Sequence, residues 1–128
     1  MKVNVFYPKE NFSGFDFRFK GKITERVYDE DGKFVEFVFH SPSIKHYEKV
    51  SAVEFQPETS NNEVFRSIIT SHNVGSYPTK ISDKIRSGEL TTQHSSFSIG
   101  DVIQIEGCFY ISNGYELSLL PLEFSNDN

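Results

Sequence analysis

Hydrophobic and polar residues alternate along much of the chain, a pattern typical of half-buried β-strands. Between residues 95 and 115, two apolar runs are joined by the pair Glu106-Gly107. Because glycine supplies the positive φ that a tight turn needs, this pair predicts a β-hairpin with strands at Asp101–Ile105 and Cys108–Ser112. These strands carry more apolar side chains than one face can hold. We therefore expect the hairpin to be central and covered on both sides.

The cleanest alternation lies earlier in the chain. Phe15, Phe17 and Phe19 share one face of a predicted strand, and charged residues occupy the other face. This strand continues to Tyr28, and an acidic turn leads into a returning strand at Lys33–His40. The whole segment is predicted to be a long, curled hairpin. We expect its phenylalanines to face the core and its charges to face solvent.

Three further strands and two helices complete the prediction. The strands are placed at Met1–Tyr7, as an edge strand ended by a proline, at Lys45–Phe55 and at Glu116–Phe124. Helical spacing of apolar residues predicts a short amphipathic helix at Glu63–His72. A second helix is predicted at Pro78–Ser87, where isoleucines recur four residues apart and a glycine follows.

The length and composition fit this set of elements. A chain of 128 residues is the size of one domain, here residues 1–128, and it can bury about two-thirds of the surface that the unfolded chain exposes. With 37% hydrophobic and 15% aromatic residues, it is globular. The predicted fold is α+β: a strongly curved antiparallel sheet or partial β-barrel with one or two short helices.

Charge and cysteine content narrow the choice of partners and compartment. The net charge of −5 creates no general attraction for nucleic acid or anionic lipid. With a single cysteine the chain cannot form an internal disulfide, which favours a reducing compartment. The first residues lack the apolar core of a signal peptide, and no apolar run approaches the roughly 20 residues of a membrane span. We expect a soluble, cytoplasmic protein with no membrane partner.

Candidate catalytic chemistry is sparse. The four histidines are His40, His46, His72 and His94. Their spacing does not suggest converging metal ligands, so we interpret them as surface or capping residues and expect no metal. Cys108 lies in a predicted buried strand, where a thiol behaves as a small hydrophobe. No phosphate-binding loop or nucleophile motif is present. We expect a non-enzyme without a cofactor.

The Phe-rich hairpin allows a second interpretation. Its rings could stack on nucleobases, and four basic side chains could follow a phosphate backbone: Arg18, Lys20, Lys22 and Arg26. The order of elements also resembles an oligonucleotide-binding barrel, in which a curled hairpin is followed by a third strand, a helix and a closing GDVIQIEGCFY hairpin. That resemblance implies a single-stranded-nucleic-acid-binding module. The long acidic tail of phage proteins of this kind is missing here.

A more local resemblance covers residues 50–115. The stretches EVFRSIITSHN and HSSFSIGDVIQIEGCFYISNGYE are similar to YodL-like small domains of phages, plasmids and mobile elements. The positions that match the family are Phe65 and Asn73 in the helix, Ser96, Ser98, Gly100, Asp101 and Val102 in the hairpin signature, and Tyr110 and Gly114 at its close. Ser95 stands where the family usually has Arg.

The resemblance implies a small accessory protein of a mobile element. Because small, acidic, non-enzymatic phage proteins often counter host defence, we expect this one to act by binding, in counter-defence. Its target would be a nucleotide-like signal, sequestered by the protein, or a host defence protein. The candidate ligand-binding residues are Phe65, Arg66, Asn73, Ser95, Ser98, Asp101, Tyr110 and Tyr115. An alternative interpretation makes Asn73 a helix C-cap, and the serines and Asp101 turn-fixing residues. Exposed edge strands would also permit a homodimer.

Overall fold

The structure, a computed structural model, describes residues 1–13, 22–73 and 76–126. These residues form eight strands: β1 (Lys2–Pro8), β2 (Phe12–Ser13), β3 (Ile23–Tyr28), β4 (Phe34–His40), β5 (Tyr47–Glu54), β6 (Val102–Ile105), β7 (Cys108–Ser112) and β8 (Leu117–Leu119). The α-helices are α1 (Asn61–Asn73) and α2 (Ser76–Arg86), and short 3₁₀ helices span Ile44–His46 and Leu122–Ser125. The α+β class is confirmed.

The strands form two antiparallel sheets, not the strongly curved sheet or partial barrel predicted. Five strands make an open sheet in the order β5-β1-β6-β7-β8, and β2, β3 and β4 form a separate sheet. No pairing joins the two sheets among the described residues, which is the physical reason why a barrel does not close. The N-terminal strand was also wrongly predicted to be an edge, since β1 pairs with both β5 and β6.

The predicted central hairpin is confirmed. Val102 pairs with Ile111, and the turn residues Glu106 and Gly107 have φ values of 49° and 85°. Both residues of the two-residue turn are thus left-handed, which matches the twist of the flanking strands. Cys108 is exposed rather than buried, because it directly follows this turn.

Both faces of β6 are covered by apolar side chains. The helix-covered face forms the main core: Val3, Val5, Tyr7, Val50, Val64, Phe65, Ile68, Ile81, Leu90, Phe97, Ile103 and Ile105. The opposite face packs a smaller cluster: Ile23, Tyr47, Val102, Ile111, Leu120 and Phe124. A strand buried on both sides is apolar at successive positions, as Val102 and Ile103 are; Gln104 is the polar exception, and its side chain accepts a hydrogen bond from Asn4 at 3.0 Å.

Both predicted helices are present. The hydroxyl of Ser60 accepts a hydrogen bond from the amide of Glu63 at 3.2 Å and so caps the start of α1. Gly88, at φ 83°, follows α2, and its amide donates to the carbonyl of Ile85. The last predicted strand is shorter than expected: β8 ends at Leu119, and Pro121 precedes a 3₁₀ turn.

The aromatic residues of β4 do not belong to the core, contrary to the prediction. Phe34, Phe37 and Phe39 are between 42% and 54% exposed. Among the described residues, β4 is the last strand of the small sheet, and these three rings keep about half of their surface in contact with solvent. The other three phenylalanines of the predicted hairpin, at positions 15, 17 and 19, lie outside the described residues. None of the described helices has the length and apolar character that crossing a membrane would require.

The packing of β6 makes a direct prediction about stability. Ile103 is fully buried in the main core, so Ile103→Ala should lower the free energy of unfolding by about 2–5 kcal/mol in urea titrations. Leu122→Ala is the control, because Leu122 is 90% exposed and its truncation should change stability by about 0.5 kcal/mol or less. Equal losses in the two variants would contradict the central position of β6.

Candidate functional site

A shallow groove runs along one side of α1. Its first part has a volume of about 350 Å³ and is lined by Ile69, Asn73, Phe97, Ser98, Ile99, Ser112, Gly114 and Tyr115. An adjoining part of about 330 Å³ is lined by Asn62, Phe65, Arg66, Ile69, Gly114, Tyr115 and Glu116. The two parts share Ile69, Gly114 and Tyr115, so we treat them as one feature, the α1 groove.

The helix supplies one wall of the α1 groove by simple periodicity. Asn62, Arg66, Ile69 and Asn73 are separated by four, three and four residues, which places them in one stripe along α1. Val64 and Ile68 lie on another side of the helix and are fully buried in the core. The same helix can therefore pack on the sheet and present polar side chains to the groove.

The opposite wall is a tight loop between β7 and β8. The side-chain oxygen of Asn113 accepts hydrogen bonds from the amides of Tyr115 and Glu116, both at 2.9 Å. Gly114 has a φ of 99°, and a Cβ at this position would lie 3.0 Å from the side chain of Ile99. Glycine is required for both reasons. The loop holds Tyr115 at the rim of the groove with 85% of its surface exposed.

The buried carboxylate of Asp101 fixes the third side of the groove. Its Oδ2 accepts hydrogen bonds from the amide of Ser98 at 2.6 Å and from the Ser98 hydroxyl at 3.4 Å. The Nε2 atom of His94 lies 3.0 Å from Oδ1. The carboxylate thereby closes the loop from His94 to Asp101, which carries Phe97, Ser98 and Ile99 into the groove.

The protonation states of Asp101 and His94 depend on each other. Burial raises the pKa of Asp101 to about 6, although the hydrogen bonds and charge of His94 and the hydrogen bonds from Ser98 act in the opposite direction. Burial alone would lower the pKa of His94, but its hydrogen bond to Asp101 and the charge of that carboxylate outweigh burial, so the pKa is raised. Both groups therefore hold a proton more tightly in the folded protein than in the unfolded chain.

Two tyrosines, one from each hydrophobic cluster, bind carbonyl groups of the same loop. The hydroxyl of Tyr7 donates to the carbonyl of Ser95 at 3.0 Å, and its ring stacks on His94 with centroids 4.7 Å apart. The hydroxyl of Tyr47 donates to the carbonyl of Gly100 at 2.8 Å. Burial, and then the charge of Asp101, raise the pKa of both phenols, so they remain hydrogen-bond donors.

The structure brings together five of the eight residues selected from the sequence. Asn73, Ser98, Tyr115, Phe65 and Arg66 all line the α1 groove. Asp101 lies beneath it as a support. Ser95 and Tyr110 are not lining residues: the Ser95 carbonyl binds a tyrosine, and Tyr110 packs against the main core.

Sequence reasoning missed other lining residues of the groove. Asn62 could have been predicted, because its helical spacing places it in the same stripe as Arg66 and Asn73. By contrast, Ile99, Ser112 and Glu116 carried no such signal, because only the tertiary fold brings two loops and the end of β7 to the helix.

The prediction that the histidines are surface or capping residues is wrong for His72, whereas His46 does act as a cap: its Nδ1 atom accepts a hydrogen bond from the amide of Ser43 at 3.3 Å, at the start of the 3₁₀ helix Ile44–His46. His46 and His72 are buried, and burial, the largest contribution, lowers the pKa of each to about 4. The hydroxyl of Ser51 lies 2.6 Å from the Nε2 atom of His72. These rings are neutral parts of the interior at physiological pH. The described residues contain no group of three or more His, Cys, Asp or Glu side chains that could hold a metal ion.

The basic residues of the nucleic-acid alternative are only partly described. Arg18 and Lys20 lie outside the described residues. Lys22 donates a hydrogen bond to the hydroxyl of Ser41 at 3.1 Å, and Arg26 donates to the side chain of Gln93 at 3.1 Å. Both described cations therefore already have a partner within the chain.

Comparison with known proteins gives no relative from which a function could be transferred. No family model matches the chain, and no curated protein or solved structure is significantly similar to it.

The Asp101 cluster predicts a specific pH dependence. The folded protein raises the pKa of Asp101 from 3.8 to about 6 and also raises that of His94, so the stability from this pair is greatest in acid and falls as pH rises through these values. Asp101→Asn keeps a hydrogen-bond acceptor without the charge. The free energy of unfolding of the wild type minus that of Asp101→Asn should therefore decrease between pH 4 and 8, by about 2 kcal/mol, in urea titrations.

The control for this experiment is Glu58→Gln, which removes one carboxylate from an exposed position outside the cluster. Its difference from the wild type should be small and nearly constant over the same pH range. A difference for Asp101→Asn that grows with pH would contradict the assigned direction of the shifts.

Proposed function

We propose that this protein is a non-enzymatic binding protein that holds a nucleotide-like small molecule in the α1 groove. The observation that carries the proposal is that Asn73, Ser98 and Tyr115 line one part of the groove and Arg66 lines the adjoining part. The two volumes, about 350 and 330 Å³, lie at the lower end of the range of small-molecule pockets.

The lining residues suit a flat ring with polar edges. Ile69 and Phe97 offer apolar surface, and the exposed ring of Tyr115 is placed to stack on an aromatic ligand. The amide of Asn73 can donate and accept hydrogen bonds, as recognition of a base edge needs. Ser98 adds a hydroxyl whose position is fixed by Asp101.

The charged side chains that line the groove limit the charge that the ligand can carry. Arg66 is the one cation among the described lining residues, and Glu116 is the one carboxylate. A guanidinium can hold one phosphate group through paired hydrogen bonds, whereas a triphosphate would meet uncompensated repulsion from the carboxylate. The proposed ligand therefore carries little charge, as a cyclic nucleotide does. Glu116 can accept a hydrogen bond from a sugar hydroxyl or a ring amine.

The biological role rests on the resemblance to YodL-like domains of mobile elements. We propose that the protein acts inside the host cell in counter-defence, by sequestering a nucleotide immune signal. The same account allows a host defence protein as the target, which would dock on the surface around Tyr115. Binding of a nucleotide-like small molecule distinguishes sequestration of a signal from docking of a host defence protein.

A panel of cyclic and ADP-ribose-type nucleotides tests the ligand directly. A ligand present at 100 times its dissociation constant stabilises the folded protein by about 2.7 kcal/mol, which should raise the melting temperature by several degrees. Arg66→Ala and Asn73→Ala should each abolish most of that shift. Both residues are exposed, so neither change should alter the melting temperature of the free protein by more than a degree or two.

Arg86→Ala is the matched control, because Arg86 is an exposed arginine at the end of α2 and does not line the groove. It should leave the ligand-induced shift intact. No shift with any nucleotide in the panel would refute sequestration. A shift that survives in both groove variants would place the ligand elsewhere on the protein.

One observation favours the single-stranded-nucleic-acid alternative, and another argues against it. The aromatic side chains of β4 are exposed, as stacking requires. However, the predicted hairpin at residues 15–40 contains six acidic side chains and five Lys or Arg residues, so it has no net positive charge with which to attract a polyanion. We expect no retardation of oligo-dT in low salt. Retardation that weakens with salt and is lost in Arg26→Ala would restore the alternative.

A further inference from the structure

The edge strand β4 carries an unusual amount of exposed apolar surface. Phe34, Val35, Phe37 and Phe39 are between 42% and 55% exposed. Within the described residues, β4 pairs with β3 alone, and its other side is a sheet edge. Such an edge presents main-chain hydrogen-bonding groups that can pair with another strand.

The strand lacks the features that usually protect an edge. It is seven residues long and contains no proline or lysine, and Glu36 is its one acidic or basic side chain apart from His40. The irregularity in its pairing with β3 lies next to Val27 and Tyr28, at the hairpin end. From Glu36 to His40 the register with β3 is regular, so a five-residue edge of regular geometry is available.

We propose that β4 pairs with β4 of a second copy of this chain, antiparallel about a two-fold axis at Val38. In this register Val38 faces its own counterpart, and Phe37 faces Phe39 of the second copy. Glu36 faces His40 of the second copy. The arrangement joins the two small sheets into one. The aromatic pairs lie on one face, and the other face carries the two valines and the pairs of an acidic with a basic side chain.

Other registers are less favourable. An axis at Glu36 would place two carboxylates directly opposite each other, which destabilises a strand pair. An axis at Phe37 would place Glu36 opposite Val38 and leave the carboxylate without a polar partner. The axis at Val38 alone matches five consecutive positions by side-chain character, from Glu36 to His40.

The charge distribution along the hairpin also favours an antiparallel partner. Its tip carries a net negative charge, with Asp29, Glu30 and Asp31 against Lys33, whereas Lys22 lies at its base, bonded to Ser41. Antiparallel pairing places the acidic tip of one copy beside the base of the other. The electrostatic attraction would orient the two copies before the strands pair.

The size of the patch indicates a weak association. A phenylalanine that is half exposed offers about 100 Å², so the patch offers a few hundred Å² per copy. Stable complexes bury about 800 Å² per partner, so we expect a weak, reversible dimer. This inference does not depend on the α1 groove or on its ligand.

Sedimentation velocity across the micromolar range tests the association. We expect the weight-average mass to rise from that of a monomer toward that of a dimer. Phe37→Lys should keep the protein monomeric at concentrations where the wild type is mostly dimeric. Leu122→Lys is the control, because it introduces the same side chain at an exposed leucine outside β4 and should leave the association unchanged.

Cysteine cross-linking tests the register, in a Cys108→Ser background because Cys108 is the one cysteine of the chain. Val38→Cys should form a disulfide between copies under mild oxidation, since facing Cα atoms lie within the disulfide limit of about 7 Å. Val35→Cys is the control on the same strand. In the proposed register its two copies are six residues apart along the strands, about 20 Å.

A protein that stays monomeric throughout, or a dimer that Phe37→Lys leaves intact, would overturn the proposal. Cross-linking of Val35→Cys as fast as that of Val38→Cys would also overturn it. Equal rates would mean that both disulfides form by random collision and not by strand pairing. Circular dichroism and thermal unfolding of each variant confirm that a loss of dimer is not a loss of fold.

Discussion

The fully buried carboxylate of Asp101 is the interaction on which the candidate site depends. It sits at the start of β6 and accepts hydrogen bonds from Ser98 and His94, so the loop before the strand must curl back over the sheet. Burying a carboxylate is unfavourable unless it is well hydrogen-bonded. Because Asp101 must keep its hydrogen bonds, the position of Ser98 in the α1 groove is fixed relative to the sheet. The loop is therefore a rigid wall of the groove.

The same region explains why the sheet and the helices form one body. Because β6 lies between β1 and β7 and is buried on both faces, its alternate side chains enter two different cores. Ile103 meets the helices, and Val102 meets the C-terminal 3₁₀ turn through the cluster around Phe124. The groove therefore rests on the most deeply packed part of the molecule, where side chains have little freedom to rearrange.

The two proposed surfaces use different physics and lie on different sheets. The α1 groove is concave and combines apolar floor, hydrogen-bonding groups and one cation, as small-molecule recognition requires. The β4 edge offers main-chain pairing and aromatic area without a concave site. Since no residue is shared between them, ligand binding and self-association can be altered separately by substitution.

The sequence by itself determined the local elements. Periodicity and turn residues located α1, α2 and the hairpin closed by Glu106-Gly107, because these depend on neighbours within a few residues. The resemblance to YodL-like domains, together with the donors and rings that a nucleotide-like ligand would need, selected Arg66, Asn73, Ser98 and Tyr115, which line the α1 groove. Only the tertiary structure decided which strands pair and which faces are covered. The largely apolar sequence of β4, for example, would be the same whether or not a second layer covered the strand. For that reason the exposure of Phe37, the open sheet and the burial of His72 could not be inferred from spacing alone.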